Sequence, residues 1–190
     1  IATDKPIHLV FSGIIFLFGL LAKEHVLTFI ALIPLTTYFF TNSSFKKNAI
    51  SLIPLIAASL IFLVMRKNAV DAAHIFDFGG GETSSDLMNN PFVEMSAGEA
   101  LATKFYTLGL YVKLLLFPHP LTHDYYPYHV GTMNFGDWRV ILSFLMYVGL
   151  GIYAVMGILK KDIVAFGIAF YIITLSIVSN IVFPVGTNMA

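Results

Sequence analysis

Residues 7–40 hold two apolar runs, "IHLVFSGIIFLFGLLA" (7–22) and "VLTFIALIPLTTYFF" (26–40), separated only by Lys23-Glu24-His25. As one helix the 34 residues would reach ~51 Å at 1.5 Å per residue, well beyond the ~30 Å hydrocarbon core of a bilayer. The chain therefore turns or breaks near Lys23. Each half is then slightly short for a full span, which sets Lys23 close to a membrane face where its stem can snorkel. Composition makes the membrane the setting: 57% hydrophobic residues, 12% charged residues and a mean hydropathy of +0.81 are far from a soluble globular mix.

The rest of the chain extends the pattern. A third apolar run at 49–65 ends at Arg66-Lys67, and two more, at 138–159 and 163–183, are joined by Lys160-Lys161-Asp162. Asp4 is a candidate cap for the first helix, Pro6 suits its first turn, and Pro34 is placed to kink the second. Residues 99–117 look like a span but carry Lys104 and Lys113, which at 100° per residue fall on opposite faces. A re-entrant or interfacial helix fits better there. The fold class expected is all-α integral membrane, with about five transmembrane helices (7–22, 26–40, 49–65, 138–159 and 163–183) plus the helix at 99–117. The domain reading is a single membrane-domain fragment over residues 1–190, with an extracytoplasmic loop region at 66–137.

Leaving 99–117 out of the count puts the N-terminus, 41–48 and 160–162 on one side. Lys5, Lys46, Lys47, Lys160 and Lys161 stand there against Asp4 and Asp162, so that side is expected to be cytoplasmic. The sequon at Asn42-Ser43-Ser44 would then face the cytoplasm. Lys23, Glu24, Arg66, the acidic loop (Asp71, Asp77, Glu82, Asp86, Glu94) and the Pro/His/Tyr-rich stretch 118–137 fall on the other face.

Several classes of chemistry find no pattern. Zero formal charge and the lack of a basic aromatic patch speak against nucleic acid. Without cysteine there is no disulfide framework, thiolate nucleophile or cysteine zinc site. Gly79-Gly80-Gly81 is followed by no Gly-Lys-Ser/Thr and reads as linker, not as a phosphate cradle. His119, His123, Asp124 and His129 match no metal-ligand spacing, so no metal is expected; Tyr125, Tyr126 and Tyr128 suit an interfacial aromatic belt. For Lys23 and Glu24, a snorkelling lysine beside a helix-turn carboxylate and a phosphate-binding pair are both open on the residues alone.

"LLAKEH", "NNPF", "YTLGLYVKLLLFPHPLTHDYYPY" and "FPVGTNMA", in this order, resemble the membrane half of the transmembrane and TPR-repeat protein O-mannosyltransferase family and its bacterial relatives. The likeness runs over most of the 190 residues and is most specific at 114–125. The chain departs from the family at Ala22, where serine is usual, and at His25. The resemblance implies a GT-C type membrane glycosyltransferase of the bacterial inner membrane. Such an enzyme moves a mannose-like sugar from a polyprenyl-phosphate-sugar donor to Ser/Thr hydroxyls of an acceptor protein on the extracytoplasmic side. It implies Lys23, Lys113 and Arg139 as donor-phosphate ligands, and Glu24, His123, Asp124 and Tyr125 on the acceptor or sugar side. The catalytic carboxylate is expected in an acidic loop before Ile1 and TPR repeats after Ala190, so that this stretch alone is expected to be inactive. Partners expected are the bilayer, the polyprenyl-phosphate lipid, the acceptor protein and a larger membrane complex. The rival readings are a non-catalytic scaffold subunit and a transporter; the absence of a visible internal repeat weakens the transporter.

Overall fold

In the first helix, Gly13, Phe16 and Leu20 recur at the three- and four-residue spacing of one helical face, and that face is the buried one. The computed structural model describes residues 6–69, 91–122, 125, 129–182, 187 and 189. Among these the chain is helical without strands: α1 (Pro6–Ala22), a 3-10 turn (Glu24–Thr28), α2 (Phe29–Phe40), α3 (Phe45–Ala69), α4 (Ala97–Leu116), α5 (Trp138–Leu159) and α6 (Ile163–Ser176). Asp4, the linker glycines, the acids from Asp71 to Asp86, His123, Asp124, Tyr126 and Tyr128 lie outside the described residues.

The helices belong to two units, Ile1–Phe76 with Gly157–Thr174, and Asp77–Met156 with Leu175–Ala190. In the first, α1 packs on α3, and Phe16, Leu20, Leu55 and Ala58 form the core with Val26, Leu27, Ile30, Leu52 and Phe62 around it. Ile15 and Phe18, on the opposite face of α1, are 69% and 68% exposed, so the outside of this helix is as apolar as its inside. At the far end of α2, Phe39 and Phe40 meet Phe166 of α6 at ring separations of 5.2 and 4.9 Å. The Lys161 ammonium sits 4.9 Å over the Tyr38 ring.

The turn that brings α6 there is tight. A Cβ on Gly157 would lie 2.3 Å from the Cβ of Ala165, so only glycine lets α5 and α6 approach at that level. Lys161 takes a left-handed φ of 53°, and Asp162 caps α6 by accepting the Val164 N–H at 3.1 Å.

In the second unit α4 begins with a capping box: the Ser96 Oγ accepts the Glu99 N–H, and a Glu99 carboxylate oxygen accepts the Ser96 N–H at 2.9 Å. The Ser96 hydroxyl, donating to the Glu99 carboxylate at 2.7 Å, and the Ser96 N–H hold that carboxyl below the usual carboxylate range. Along α4, Thr103 is fully buried and accepts the Met133 N–H at 3.0 Å, tying the 129–137 loop to the helix. Gly109 lies against Ser143 of α5, whose Oγ would be 1.9 Å from a Cβ, and the Tyr147 hydroxyl donates to the Leu108 carbonyl at 3.0 Å.

Among the described residues two helices, α3 and α5, are long and apolar enough to cross a membrane. The apolar α1, α2 and α6 are shorter, at 17, 12 and 14 residues. The break expected near Lys23 is present: α1 stops at Ala22 and Lys23 is extended (φ −157°, ψ 127°) before the 3-10 turn. Two boundaries differ from the sequence reading. Helix α3 runs beyond 49–65 at both ends, because Lys46, Lys47, Arg66 and Asn68 are compatible with solvent-side helix positions and do not stop it. Helix α6 stops at Ser176, well short of 183. The Ser179 Oγ takes the Ser176 carbonyl at 2.7 Å, and Asn180 adopts φ 58°, donating to the Thr187 carbonyl at 2.8 Å. Short polar side chains have here replaced the helical backbone ladder.

Candidate functional site

The break at Lys23 opens a cleft of about 540 Å³ in the first unit. One wall is apolar, from Leu20, Leu21 and Ala22 of α1 and Phe62 and Met65 of α3. The remaining lining is Lys23, Glu24, His25 and Arg66. Ending α1 one residue before Lys23 throws the lysine out of the helical register, and the 3-10 turn then carries Glu24 and His25 to the same opening.

Arg66 reaches the site from α3. Its Nη1 donates to a Glu24 carboxylate oxygen across 42 residues of sequence, with the two side chains 44% and 48% exposed. Such an exposed pair contributes little to stability, about 1 kcal/mol or less. The Lys23 side chain, by contrast, is exposed and has no ion-pair partner among the described residues. Among the described residues, Lys23 and Arg66 against Glu24 leave the opening one positive charge in excess. His25 is half-buried, and its Nδ1 is shut from solvent without a hydrogen-bond partner among the described residues. A buried ring nitrogen left this way costs about 1–3 kcal/mol.

The other residues expected at a site lie in the second unit or outside the described residues. Arg139, in the first turn of α5, is committed to Asp137: its Nη2 donates at 2.6 Å and its Nε at 3.0 Å, and its guanidinium lies 5.2 Å over the Tyr106 ring. Those hydrogen bonds from Arg139 lower the Asp137 carboxyl to about 2. Lys113 is exposed in the last turn of α4. Tyr125 packs edge-on against His129, ring centroids 5.4 Å apart. His123 and Asp124 are outside the described residues.

Of the expected residues, then, Lys23 and Glu24 meet at one opening. His25, named at the break without a role, and Arg66, from the end of the third apolar run, join them. Arg66 could have been found from the topology, since the count of spans sets the end of the third run on the same face as Lys23. Comparison of the chain with protein-family models, curated proteins and solved structures gives no match.

Proposed function

We propose that the chain is part of a membrane glycosyltransferase that moves a mannose-like sugar from a polyprenyl-phosphate donor to protein Ser/Thr hydroxyls, with the Lys23 cleft holding the donor phosphate. The observation that carries this reading is the cleft itself, an apolar wall leading to two cations, which matches an amphiphile with an anionic head. The apolar outer face of α1 supports immersion in lipid. The arrangement proposed is multi-pass and GT-C-like, with about five spans in a bacterial inner membrane, α4 lying re-entrant or at the interface, and the cleft opening to the extracytoplasmic side.

In the reaction the acceptor hydroxyl oxygen bonds to C1 of the sugar while the C1–O bond to phosphate breaks. The electron pair goes to the departing phosphate and the hydroxyl proton to a carboxylate base. Lys23 and Arg66 lower the barrier by standing where negative charge grows. Lys113 stays a candidate for the same phosphate, and Arg139 becomes the weaker one because Asp137 already occupies it.

The test is sugar transfer to an acceptor peptide by the full-length protein in lipid. Lys23→Ala is expected to reduce transfer by about 100-fold, the scale of losing one transition-state donor. Transfer at the wild-type rate overturns the phosphate role. Topology is checked separately, since the chain has no cysteine of its own. Single cysteines at Ser44 and Asn68, either side of the apolar stretch of α3, are expected to label from opposite sides of the membrane.

A further inference from the structure

The pairing inside the cleft carries a consequence for what kind of phosphate it holds. Lys23 has no carboxylate partner among the described residues, whereas Arg66 is closed on Glu24. With that pair closed, the described lining presents one net positive charge, the complement of a phosphodiester, which carries a single negative charge. A phosphomonoester carries about −1.5 to −2 near neutral pH, its second pKa being about 6. To compensate it, Arg66 must leave Glu24 and turn to the phosphate. The ion pair is exposed enough for this exchange, since it stabilises the fold so little.

We infer that the Glu24–Arg66 pair responds to the charge on a lipid phosphate in this cleft, staying closed on a diester and being opened by a monoester. This deepens the donor-phosphate reading and rests on it. The donor is a sugar-phosphate diester of the polyprenol and the product left behind is its monoester, so the second negative charge appears as the C1–O bond breaks. Arg66 then exchanges one carboxylate oxygen for a phosphate oxygen at that moment. Lys23 serves both lipids, and Arg66 leaves Glu24 only for the second negative charge of the monoester.

The experiment measures binding to the full-length protein in phosphatidylcholine nanodiscs at pH 8, where the monoester is mostly doubly charged. The probes are polyprenyl monophosphate and its methyl diester, with phosphatidic acid and phosphatidylglycerol as a monoester and a diester on ordinary acyl chains. Glu24→Gln, nearly isosteric, is expected to tighten the monoester about tenfold and the diester by less than about threefold. Arg66→Gln is expected to weaken the monoester about tenfold and Lys23→Ala to weaken both. An equal effect of Glu24→Gln on monoester and diester, or weaker monoester binding in that variant, overturns the inference. Glu24→Gln decides it alone if the arginine variant fails to fold. If the acyl-chain lipids show the monoester preference and the polyprenyl pair does not, the charge response stands and the donor reading falls. If the polyprenyl pair shows it while Lys23→Ala leaves sugar transfer unchanged, the same separation is reached by the other route.

Discussion

The two units each hold an arginine paired with a carboxylate, and the pairs are built differently. Arg139 and Asp137 are two residues apart and bonded through several contacts, so the pair forms wherever that turn forms. Arg66 and Glu24 come from different helical segments and meet only when α1 is seated on α3. A local pair fixes a turn and leaves its arginine spoken for. A long-range pair at a cleft is held by tertiary structure, and a ligand that competes for one partner does not unfold the segment that carries it. The contrast leaves Arg66 easier to draw from its carboxylate than Arg139, even though both are exposed cations at a helix end.

The largest effect expected from this difference is on transfer. Lys23→Ala is expected to cost about 100-fold, whereas Arg139→Gln is expected to stay within about threefold of wild type, since Asp137 already engages the guanidinium. Comparable losses in the two variants, measured side by side, would erase the distinction between the units.

A stability effect in the second unit comes next. Thr103→Val removes the acceptor for the Met133 N–H from a fully buried site, and about 1–3 kcal/mol of stability is expected to go with it. Thermal unfolding in detergent reads the loss, and lipid binding at the Lys23 cleft should be unchanged. A smaller change is expected for Arg66→Gln: within about 1 kcal/mol in stability, despite its tenfold effect on the monoester. A large drop in melting temperature would make Arg66 a structural residue.

The smallest effect is a titration. The Asp137 carboxyl, lowered by Arg139 from an ordinary value of 3.8 to about 2, contributes its share of stability fully above about pH 3.8. That share fades as the pH falls towards and through 2, because protonation ends the pairing. Carbon-detected NMR of the Asp137 carboxyl is expected to show the low midpoint, and Arg139→Gln to return it towards 3.8.

The break at Lys23 was legible because it follows from length alone: 34 apolar-rich residues cannot be one span. Lys23 and Glu24 occupy that break, and on the residues alone a snorkelling lysine beside a helix-turn carboxylate stays as open as a phosphate-binding pair. Span counting sets Arg66 on the face of Lys23, but its bond to Glu24 depends on the packing of Phe16 and Leu20 on Leu55 and Ala58 and of Gly13 on Pro54, which no local pattern reports. Helix α3 outruns the apolar run 49–65, and α6 ends before the apolar run 163–183 does. Charged residues at 46–47 and 66–67 continue a helix, whereas Ser179 and Asn180 compete for the backbone groups that would extend α6. Arg139 illustrates a different limit: Asp137 stands two residues away in plain sight, but the forked bond that commits the guanidinium is a matter of side-chain geometry.

The close approach of Gly157 and Ala165 makes the short link between α5 and α6 a ruler. One residue added between Lys160 and Asp162 would rotate α6 by about 100°. It would swing Phe166 away from Phe39 and Phe40 and present another flank of α6 to the glycine. The length of the link is set by neighbouring residues of α6, Ala165 against Gly157 and Phe166 against Phe39 and Phe40.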